Sequence, residues 1–531
     1  MNLLTDQWIP VRLLDGGTPQ KISLRELLCG EEKWELCLPR DDMELAAMQL
    51  LVCITQALFT PKDGKELLSR IARSITVEEY EATAARYDDW FRMDHPQWPF
   101  MQVKGVVGKD TFSVEELFAG LTRATNSCFV NEPNLAAKLC PGCTAIALFN
   151  QATCAPGFGG GFKDPLRGGT PVTTLVQGPH LQQTIWLNVL SDKEVNRHIP
   201  WHLATINQKP TWIEPIKSGS VAAQSISLVR GLFWQPAHIE LLSPVAGSIN
   251  CSCCGSGAEL YFEKFGRAKF SSYSVEGTWP HPHSARNLII NSKSIKSRKF
   301  RENLLEERFV SFSSNAPAWT QLNRFVDQMF PRAENNGYEP AAVILQSRDR
   351  NLFGSHAGKL IIAIGGYQRK KASVVGRCHE VCTINSGWSR HTEVIRQLVT
   401  FGLDYKNALV NPLIKFSNGL KNTKTKKVIA KGLGQKFQVY DVAKFQFFRA
   451  TDITIQNTLA NINFEEPGPA FIELGRELEK TCKLLFDDAV GPYRNDPELI
   501  RTIAITRNYL NHNLVALRPQ SGGIHGKIQA P

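Results

Sequence analysis

The sequence predicts an α+β protein, with a large mixed α/β N-terminal domain that holds a structural zinc site and a C-terminal four-helix bundle. Up to about residue 386, short strand-like runs and helices alternate between glycines and prolines, and two pairs of closely spaced cysteines occur there. Beyond it, long segments repeat apolar residues at intervals of three and four. We expect domains at 1–386 and 387–518, and a disordered tail at 519–531.

The composition is that of a globular protein with a basic balance. Of 531 residues, 43% are apolar and 21% are charged, which excludes a largely disordered, collagenous or low-complexity chain. The 61 basic residues exceed the 50 acidic ones and give a net charge of +11. Such a charge favours a polyanionic partner, either nucleic acid or an anionic membrane surface.

Sequence patterns argue against membrane insertion and against secretion. The N-terminal segment lacks a basic region ahead of an apolar stretch, and Asp6 interrupts it. The longest apolar run, 45–59, includes Gln49 and is too short to span a bilayer. We therefore expect a cytoplasmic protein that does not contact a membrane. The odd number of cysteines, 13, then favours free thiols and metal ligands over disulfides.

The N-terminal elements are predicted from local signals. Residues 11–24 have the pattern of a β-hairpin whose turn contains Asp15, Gly16 and Gly17. Asp41 and Glu44 have the spacing of a capping box before an apolar helix at 43–59. The acidic residues at 41, 42 and 44 could also form a catalytic carboxylate cluster, but no histidine or second acidic motif lies nearby in the sequence. We therefore favour a helix start.

Four long helices are predicted in the C-terminal part. They cover about 389–417, 438–460, 467–489 and 495–515, and their short connections favour a bundle. The lysine-rich segment 417–436 is expected to be mobile. Residues 386–450 contain 12 basic and 3 acidic side chains, which favours contact with phosphate groups. A second basic cluster contains Lys293, Lys296, Arg298, Lys299 and Arg301.

Two cysteine motifs form the strongest chemical signal. Cys140 and Cys143 flank Pro-Gly, and Cys251 and Cys254 have the same spacing. Two such turns brought together would offer the tetrahedral set of thiolates that suits Zn²⁺. A set of four sulfurs leaves no open position, so we predict a structural site and leave Cys253 without a ligand role. The alternative is four unrelated free thiols.

The glycine-rich stretch 155–163 is less specific. Consecutive glycines allow a backbone to approach a ligand closely. The phosphate-binding P-loop pattern fails, however, because Phe162 separates Gly161 from Lys163. Two interpretations stay open, a permissive surface turn and a loop that lies against nucleic acid.

No catalytic arrangement stands out in the sequence. His281 and His283 could ligate a metal, but they lie in a turn made rigid by Pro280 and Pro282 without nearby acidic partners, so packing is the favoured interpretation. We find no Ser-His-Asp, HExxH or nucleophile-elbow pattern. We therefore predict a protein that is not an enzyme. The alternatives are a zinc-dependent nucleic-acid-processing enzyme and a basic protein that binds nucleic acid without sequence preference.

Several longer motifs resemble one family. In order along the chain, these are LPRDDMELAA, WPFMQVKG, ATNSCFVNEP, LCPGCTAIALFNQ, APGFGGGFKDPLRGGTPVTTLV, VRGLFWQPAHIEL, CSCCG and TWPHPHS. Together they resemble the large-subunit (CasA) family of type I-E CRISPR Cascade surveillance complexes, from residue 1 to about residue 520. The resemblance implies a mixed α/β N-terminal domain, a C-terminal four-helix bundle and a zinc site at the four cysteines.

The resemblance also implies partners and a role in antiviral defence. The family's large subunit lies near the 5′ handle of the crRNA and docks with the other Cascade subunits. It recognises the protospacer-adjacent motif (PAM) of double-stranded target DNA, starts strand separation and helps to hold the R-loop. It then recruits a separate helicase–nuclease.

Specific residues acquire expected roles through the resemblance. The PAM-reading glycine loop and lysine correspond to Gly159–Gly161 and Lys269. Readout from the minor groove is degenerate, so we expect such a reader to tolerate several PAM sequences. The strand-separating wedge falls on Lys371 with Lys370 beside it, where the family has glutamine, or on Gln368 if the hairpin register differs. A further loop, which meets the PAM-proximal end and the crRNA handle, corresponds to Phe129, Val130 and Asn131, although a buried, packed Phe129 is the alternative.

Overall fold

A computed structural model describes residues 1–106, 110–119, 136–269, 273–290, 305–312, 316–332, 335–350, 358–370, 373–421, 427–434 and 437–519. The helices are α1 (Leu24–Cys29), α2 (Asp41–Leu58), α3 (Gly64–Ala72), α4 (Val77–Tyr87), α5 (Pro141–Thr153), α6 (Leu181–Leu187), α7 (Asp192–His198), α8 (His202–Thr205), α9 (Leu228–Leu232), α10 (Leu322–Val326), α11 (Ala342–Arg350), α12 (Thr392–Asn418), α13 (Val439–Asn461), α14 (Gly468–Val490) and α15 (Ile500–Ala516).

The strands are short except for one long pair. They are β1 (Ile9–Leu13), β2 (Gln20–Ile22), β3 (Trp34–Leu36), β4 (Phe112–Ser113), β5 (Thr173–Val176), β6 (Gly219–Ala222), β7 (His238–Leu241), β8 (Val245–Asn250), β9 (Gly257–Tyr261), β10 (Lys264–Ala268), β11 (Tyr273–Glu276), β12 (Arg286–Ile290), β13 (Leu305–Phe309), β14 (Gly337–Glu339), β15 (Leu360–Lys370), β16 (Ser373–Ile384), β17 (Leu420–Lys421) and β18 (Val428–Ala430).

The strands form small separate sheets. The three-stranded sheets have the orders β2-β1-β3, β4-β10-β7, β13-β12-β14 and β16-β15-β5, and the two-stranded ones pair β11 with β6, β17 with β18 and β8 with β9. All the described registers are antiparallel except that of β6 and β11. The fold is therefore mixed α/β with a helical C-terminal region, as the sequence predicts at this coarse level.

The chain forms two compact units. The first contains the described residues of Met1–Ser314, Gln328–His356 and Ile361–Val381. The second contains those of Asn315–Asp327, Ala357–Leu360 and Cys382–Pro531. The second unit thus includes two segments that precede the predicted helical domain in the chain.

Helix α2 lies at the centre of the first unit. Almost every side chain from Met43 to Leu58 is buried, and the helix packs against α5 and α6. A helix that is apolar on all sides is stable only when it is enclosed, so this segment organises the core around it. The predicted hairpin is also present, since β1 pairs with β2 and Gly16 has φ +92° in the turn.

The predicted capping box at the start of α2 is wrong. The helix begins at Asp41 and its cap residue, Arg40, accepts no hydrogen bond through its side chain. Arg40 instead donates from Nε to Asp42 at 3.0 Å, and Tyr367 donates its hydroxyl proton to Asp42 at 2.8 Å. Burial alone would raise the pKa of Asp42, but hydrogen bonds and charge from Arg40 outweigh it and lower that pKa. Asp42 therefore anchors the start of α2 to Arg40 and to Tyr367 of β15.

The second unit is built on α12. This helix packs against α13, α14 and α15, and the four helices begin and end within about five residues of the predicted bounds. Gly402 makes room for Trp319, whose ring would lie 2.9 Å from a Cβ at that position. That contact explains why the segment around residue 319 belongs to this unit.

The lysine-rich segment 417–436, which the sequence predicts to be mobile, contains a short paired region in its described part. Leu420 pairs with Ala430, and Lys421 pairs with Val428, in a short antiparallel ladder. Within the described residues, no helix is both long enough and apolar enough to cross a membrane.

His281 and His283 are buried in the first unit. His283 Nδ1 lies 3.2 Å from Gln49 Nε2, and His281 Nδ1 accepts from the His283 backbone amide at 3.1 Å. Burial and the charge of Arg167 lower the pKa of His283 to about 3. Neither histidine belongs to a metal-ligand group among the described residues, so the packing interpretation is the one that the structure supports.

Acidification is expected to destabilise this core. The folded-state pKa of His283, about 3, lies below the ordinary histidine pKa of 6.5. As the pH falls below 6.5, the unfolded chain therefore binds a proton at this histidine before the folded chain does. The free energy of unfolding is highest above pH 6.5 and decreases from pH 6.5 down to about pH 3. At pH 5 the loss is about 2 kcal/mol for one such histidine. Thermal unfolding of His283→Gln should depend less on pH between 7 and 5 than that of the wild type, whereas His512→Gln, at an exposed position, should match the wild type.

Candidate nucleic-acid interface and metal centre

The four predicted cysteines meet at the start of α5. Cys140 is the cap residue of α5 and Cys143 lies in its first turn, while Cys251 and Cys254 lie in the turn between β8 and β9. Two backbone hydrogen bonds between Leu139 and Phe262, at 3.1 and 2.9 Å, hold the two segments together. The four sulfur atoms lie within 4.8 Å of one another, and no other such group occurs in the described ranges.

The arrangement fits a metal ion. In a tetrahedral thiolate site with metal–sulfur bonds of about 2.3 Å, neighbouring sulfurs are about 3.8 Å apart. The Cys140 and Cys254 sulfurs are 3.9 Å apart. Cys140, Cys143 and Cys251 are buried, so water has little access to the set. These residues could hold a metal in a closed site that stabilises the fold and leaves no position for a substrate.

Electrostatics within the cluster divide the four thiols, because the pKa values of Cys140 and Cys143 are raised and those of Cys251 and Cys254 are lowered. Hydrogen bonds from the Cys140 and Cys143 thiols lower the pKa of Cys251 to about 6 and also lower that of Cys254. A thiolate is the form that binds a metal. Cys253 is 2% exposed but is not a member of the four-sulfur group, in line with the prediction that it is spare.

The glycine loop turns sharply at the surface. Gly159, Gly160 and Gly161 have φ values of +74°, +53° and +93°, a region that other residues rarely adopt. The amide of Phe162 donates to the Gly159 carbonyl at 2.9 Å and closes the turn. Gly160 and Gly161 are exposed, and a Cβ at Gly160 would meet no atom within 4 Å. The loop therefore presents bare backbone to solvent.

Lys269 lies against this loop. It follows β10 directly, and its Nζ would be 3.2 Å from a Cβ at Gly161. The same Nζ is 5.8 Å from the centre of the Phe162 ring. The structure thus brings together an exposed ammonium group and an exposed glycine turn that are more than a hundred residues apart in the sequence.

Arg267 supports both of these elements, and the sequence alone did not single it out. Its guanidinium lies 3.9 Å from the Phe112 ring centre and 4.5 Å from that of Phe158, and it forms a 3.1 Å ion pair with Glu116. Residues two apart on a strand point to the same side. This stack therefore fixes both the strand that leads to Lys269 and the aromatic base of the loop.

The long β15–β16 pair reaches the same loop. Tyr367 is 2% exposed and accepts from Asn150 Nδ2 at 2.7 Å, so its part of β15 is a buried anchor. Gln368 is 8% exposed, which disfavours it as a wedge. Lys370 is the last residue of β15. The assignment of the wedge to Lys371 with Lys370 beside it stays a prediction.

An ion pair connects the hairpin with the glycine loop. Arg369 Nη1 lies 3.1 Å from Asp164 Oδ2, and Asp164 Oδ1 accepts from the Gly157 amide at 3.1 Å. A Cβ at Gly169 would come within 2.3 Å of Arg369, so glycine is needed for this contact. Neither side chain is fully buried, and an exposed ion pair stabilises by at most about 1 kcal/mol. Its effect is to position the loop.

Removing the Asp164 carboxylate should loosen the loop. In Asp164→Ala, the Gly157 amide loses its acceptor, which is worth about 1 kcal/mol. Hydrogen exchange of amides 157–163 should therefore accelerate about fivefold. Asp164→Asn keeps an acceptor oxygen and should change exchange less. Glu306→Ala, which breaks the exposed Arg308 ion pair elsewhere in this unit, should leave the loop unchanged. Unaltered exchange in Asp164→Ala would contradict the positioning role.

A sequence profile of the family described as CRISPR-associated protein Cse1 matches residues 2–485. The chain belongs to this family. The resemblance that the motifs indicate is thereby confirmed, and the Cse1 profile covers both the cysteine cluster and the glycine loop.

Solved structures share the Cse1 fold. Thermus thermophilus CasA (Cse1) is 15% identical, with a TM-score of 0.67 over 97% of this chain and 99% of that chain. Thermobifida fusca Cse1 is 17% identical, with a TM-score of 0.66 over 97% of this chain and 98% of that chain. A chain of a CRISPR RNA-guided surveillance complex is 13% identical, with a TM-score of 0.65 over 96% of this chain and 99% of that chain. Likeness at these identities establishes the fold alone.

Some predicted site residues of this Cse1 chain lie outside the part that the structure describes. They are Phe129, Val130, Asn131, Lys293, Lys296, Arg298, Lys299 and Lys371. Their roles stay predictions. The described part of the candidate interface therefore consists of the glycine loop, Lys269 and the hairpin strand that ends at Lys370.

Proposed function

We propose that this chain is the large subunit of a crRNA-guided type I-E CRISPR Cascade complex that acts in antiviral defence. In this proposal it recognises the PAM in double-stranded DNA, initiates strand separation, stabilises the R-loop and recruits a separate helicase–nuclease. The supporting observation is the position of the Lys269 ammonium group beside the exposed glycine turn. Membership of the Cse1 family supports the same role.

PAM reading would use the minor groove. That groove is about 6 Å wide, so only a loop without side chains can bring its backbone to the base edges. The exposed turn at Gly160 and Gly161 meets this requirement, and Lys269 adds one flexible cationic donor. A lysine can donate to the N3 and O2 acceptors of several base pairs, so such a reader would accept a set of PAM sequences rather than one.

Strand separation would follow at the hairpin. β15 is anchored at Tyr367 and tied to the glycine loop through Arg369 and Asp164. A loop seated in the minor groove would therefore hold the hairpin tip against the first base pairs beside the PAM. The tip at 370–371 would act through the aliphatic stem of a lysine, with its charge near a phosphate.

The remaining parts of the proposal concern scaffolding. We propose that zinc occupies the four-cysteine site, because a buried set of four thiolates prefers Zn²⁺. We also propose that α12–α15 form a four-helix bundle whose basic side chains contact nucleic-acid backbone. The crRNA handle and the other Cascade subunits would be partners of the full complex.

Leaving this chain out of the Cascade complex tests its proposed role in PAM recognition. Cascade subunits and crRNA are assembled with and without this chain, and binding is measured on duplexes with a matched target and either a PAM or a scrambled flank. We expect the complete complex to prefer the PAM duplex by at least about tenfold. Without this chain the preference should vanish. Equal binding of both duplexes by the complete complex would contradict the proposal.

The second candidate function is a zinc-dependent nucleic-acid-processing enzyme. A closed four-sulfur site disfavours it, because catalytic zinc keeps an open coordination position. The purified chain is incubated with single- and double-stranded DNA and RNA in Mg²⁺, Mn²⁺ or Zn²⁺. Robust cleavage by the purified chain, without any partner nuclease, would favour the enzyme.

A further inference from the structure

The second unit contains a cavity of about 680 Å³ beside α14 that the proposed function does not use. Ligand pockets commonly have volumes of 300–1,000 Å³. The cavity is lined by Tyr405 of α12, by one face of α14 and by the residues that follow α15. Both apolar side chains and cations therefore face one pocket that is open to solvent.

A buried polar group lies at this cavity without a partner. Tyr405 is 0% exposed, and within the described residues its hydroxyl has no hydrogen-bond partner. A Cβ at Gly475 would lie 3.2 Å from that hydroxyl oxygen, so glycine keeps the α14 surface open beside it. An unpaired buried hydroxyl is unfavourable unless something binds to it. The hydroxyl is covered in this structure, so a polar ligand atom would pair with it only after the residues around Gly475 shift slightly.

The charge at the cavity is positive. Four cations line it, Arg476, Lys480, Lys483 and Arg518, against one carboxylate, Glu479. Glu479 is held by Lys483 at 2.7 Å and by Arg518 at 2.7 Å, and its hydrogen bonds to Arg518 lower its pKa to about 2. Among the described residues, Arg476 and Lys480 have no ion-pair partner within 4 Å. Two cations therefore remain for a ligand.

The lining also contains apolar surface. Ile472 and Leu484 are 36% and 57% exposed, and Pro519 closes one side. Inorganic phosphate would leave these groups uncovered, and an apolar molecule would leave the cations unused. A ligand with a ring system and a phosphate group satisfies both, because arginine and lysine bind phosphate oxygens and apolar side chains cover a ring.

We propose that this cavity is a binding site for a nucleoside phosphate. The phosphate would bind Arg476 and Lys480, the ring system would pack against Ile472 and Leu484, and a polar atom would pair with the Tyr405 hydroxyl. The phosphate source is either a free mononucleotide or the phosphorylated end of a strand. The site is separate from the glycine loop and does not depend on PAM recognition.

Calorimetry on the full purified chain tests the site with AMP, adenosine and inorganic phosphate as probes. We expect AMP to bind at least about tenfold more tightly than adenosine or phosphate. Tyr405→Phe should weaken AMP binding about tenfold without lowering the Tm, because the lost hydroxyl has no partner in the folded chain. Arg476→Gln with Lys480→Gln should weaken it at least as much. Arg86→Gln, at an exposed position on α4 of the first unit, is the control and should bind normally.

Competition separates the two sources. If AMP is displaced by a 5′-phosphorylated oligonucleotide but not by the same oligonucleotide without the phosphate, a strand end is the ligand. If neither displaces it, a free nucleotide is the ligand. The proposal is overturned if AMP shows no binding at millimolar concentration, if both oligonucleotides compete equally, or if Tyr405→Phe binds AMP like the wild type.

Discussion

Replacing Cys143 by serine is expected to abolish metal binding and to destabilise the first unit by more than about 4 kcal/mol. Cys143 is 0% exposed and belongs to the four-sulfur group that joins α5 to the β8–β9 turn. Three thiolates around a cation would leave an open position, and three thiolates without one would repel each other in a buried space. Thermal unfolding and elemental analysis of protein purified without added metal measure both effects.

The neighbouring Cys253 provides the matched control. It lies in the same turn and is 2% exposed, but it is not one of the four grouped sulfurs. Cys253→Ser should retain one equivalent of zinc and should lose only about 1 kcal/mol, the usual scale of a small buried substitution. If both variants lose metal, or if neither does, the assignment of the four ligands is wrong.

Replacing Gly161 by alanine should weaken binding to a PAM-containing duplex by about tenfold or more. The added Cβ would lie 3.2 Å from Lys269 Nζ and 3.6 Å from its Cε, so the lysine must move. The backbone at φ +93° also becomes unfavourable, by about 1–2 kcal/mol. Both effects disturb the surface that we propose to enter the minor groove. The measurement is equilibrium binding of assembled Cascade to closed and pre-opened targets.

Gly105→Ala controls for backbone strain in this experiment. Gly105 is exposed, has φ +81° and would place a Cβ with no atom within 4 Å. This variant should show a similar loss of stability and normal DNA binding. Complexes that contain the wild-type chain, Gly161→Ala or Gly105→Ala should bind pre-opened targets equally well, since no duplex must be read. Weaker binding of pre-opened targets by Gly161→Ala would point to general damage instead.

Local sequence patterns predicted the parts of the fold that local forces determine. The four long C-terminal helices follow from apolar residues on one face, and the β1–β2 hairpin follows from the turn chemistry at Gly16. The cysteine cluster was predictable because two closely spaced cysteine pairs are a common sequence pattern of structural zinc sites. The start of α2 was mispredicted because Asp42 is drawn to Arg40 and to Tyr367, and Tyr367 lies far along the chain.

The supporting contacts of the candidate site could not be predicted in this way. Arg267 stacks on Phe112 and Phe158, and Asp164 pairs with Arg369, across separations that no periodicity encodes. The unpaired Tyr405 hydroxyl is likewise visible only once α12 and α14 are packed. Motif resemblance pointed to Lys269 and the glycine loop, but their 3.2 Å approach is a product of the tertiary fold.

Lys269→Ala is the sharpest test of whether Lys269 and the glycine loop read the PAM. Wild-type and variant Cascade complexes are measured on a randomised PAM library in closed duplex and on the same target already opened. We expect the variant to lose about tenfold in affinity for the preferred closed duplexes, within the 1–3 kcal/mol of a specific base contact, and to bind the opened target normally. Equal losses on preferred and scrambled closed duplexes, or no loss on either, would contradict the claim.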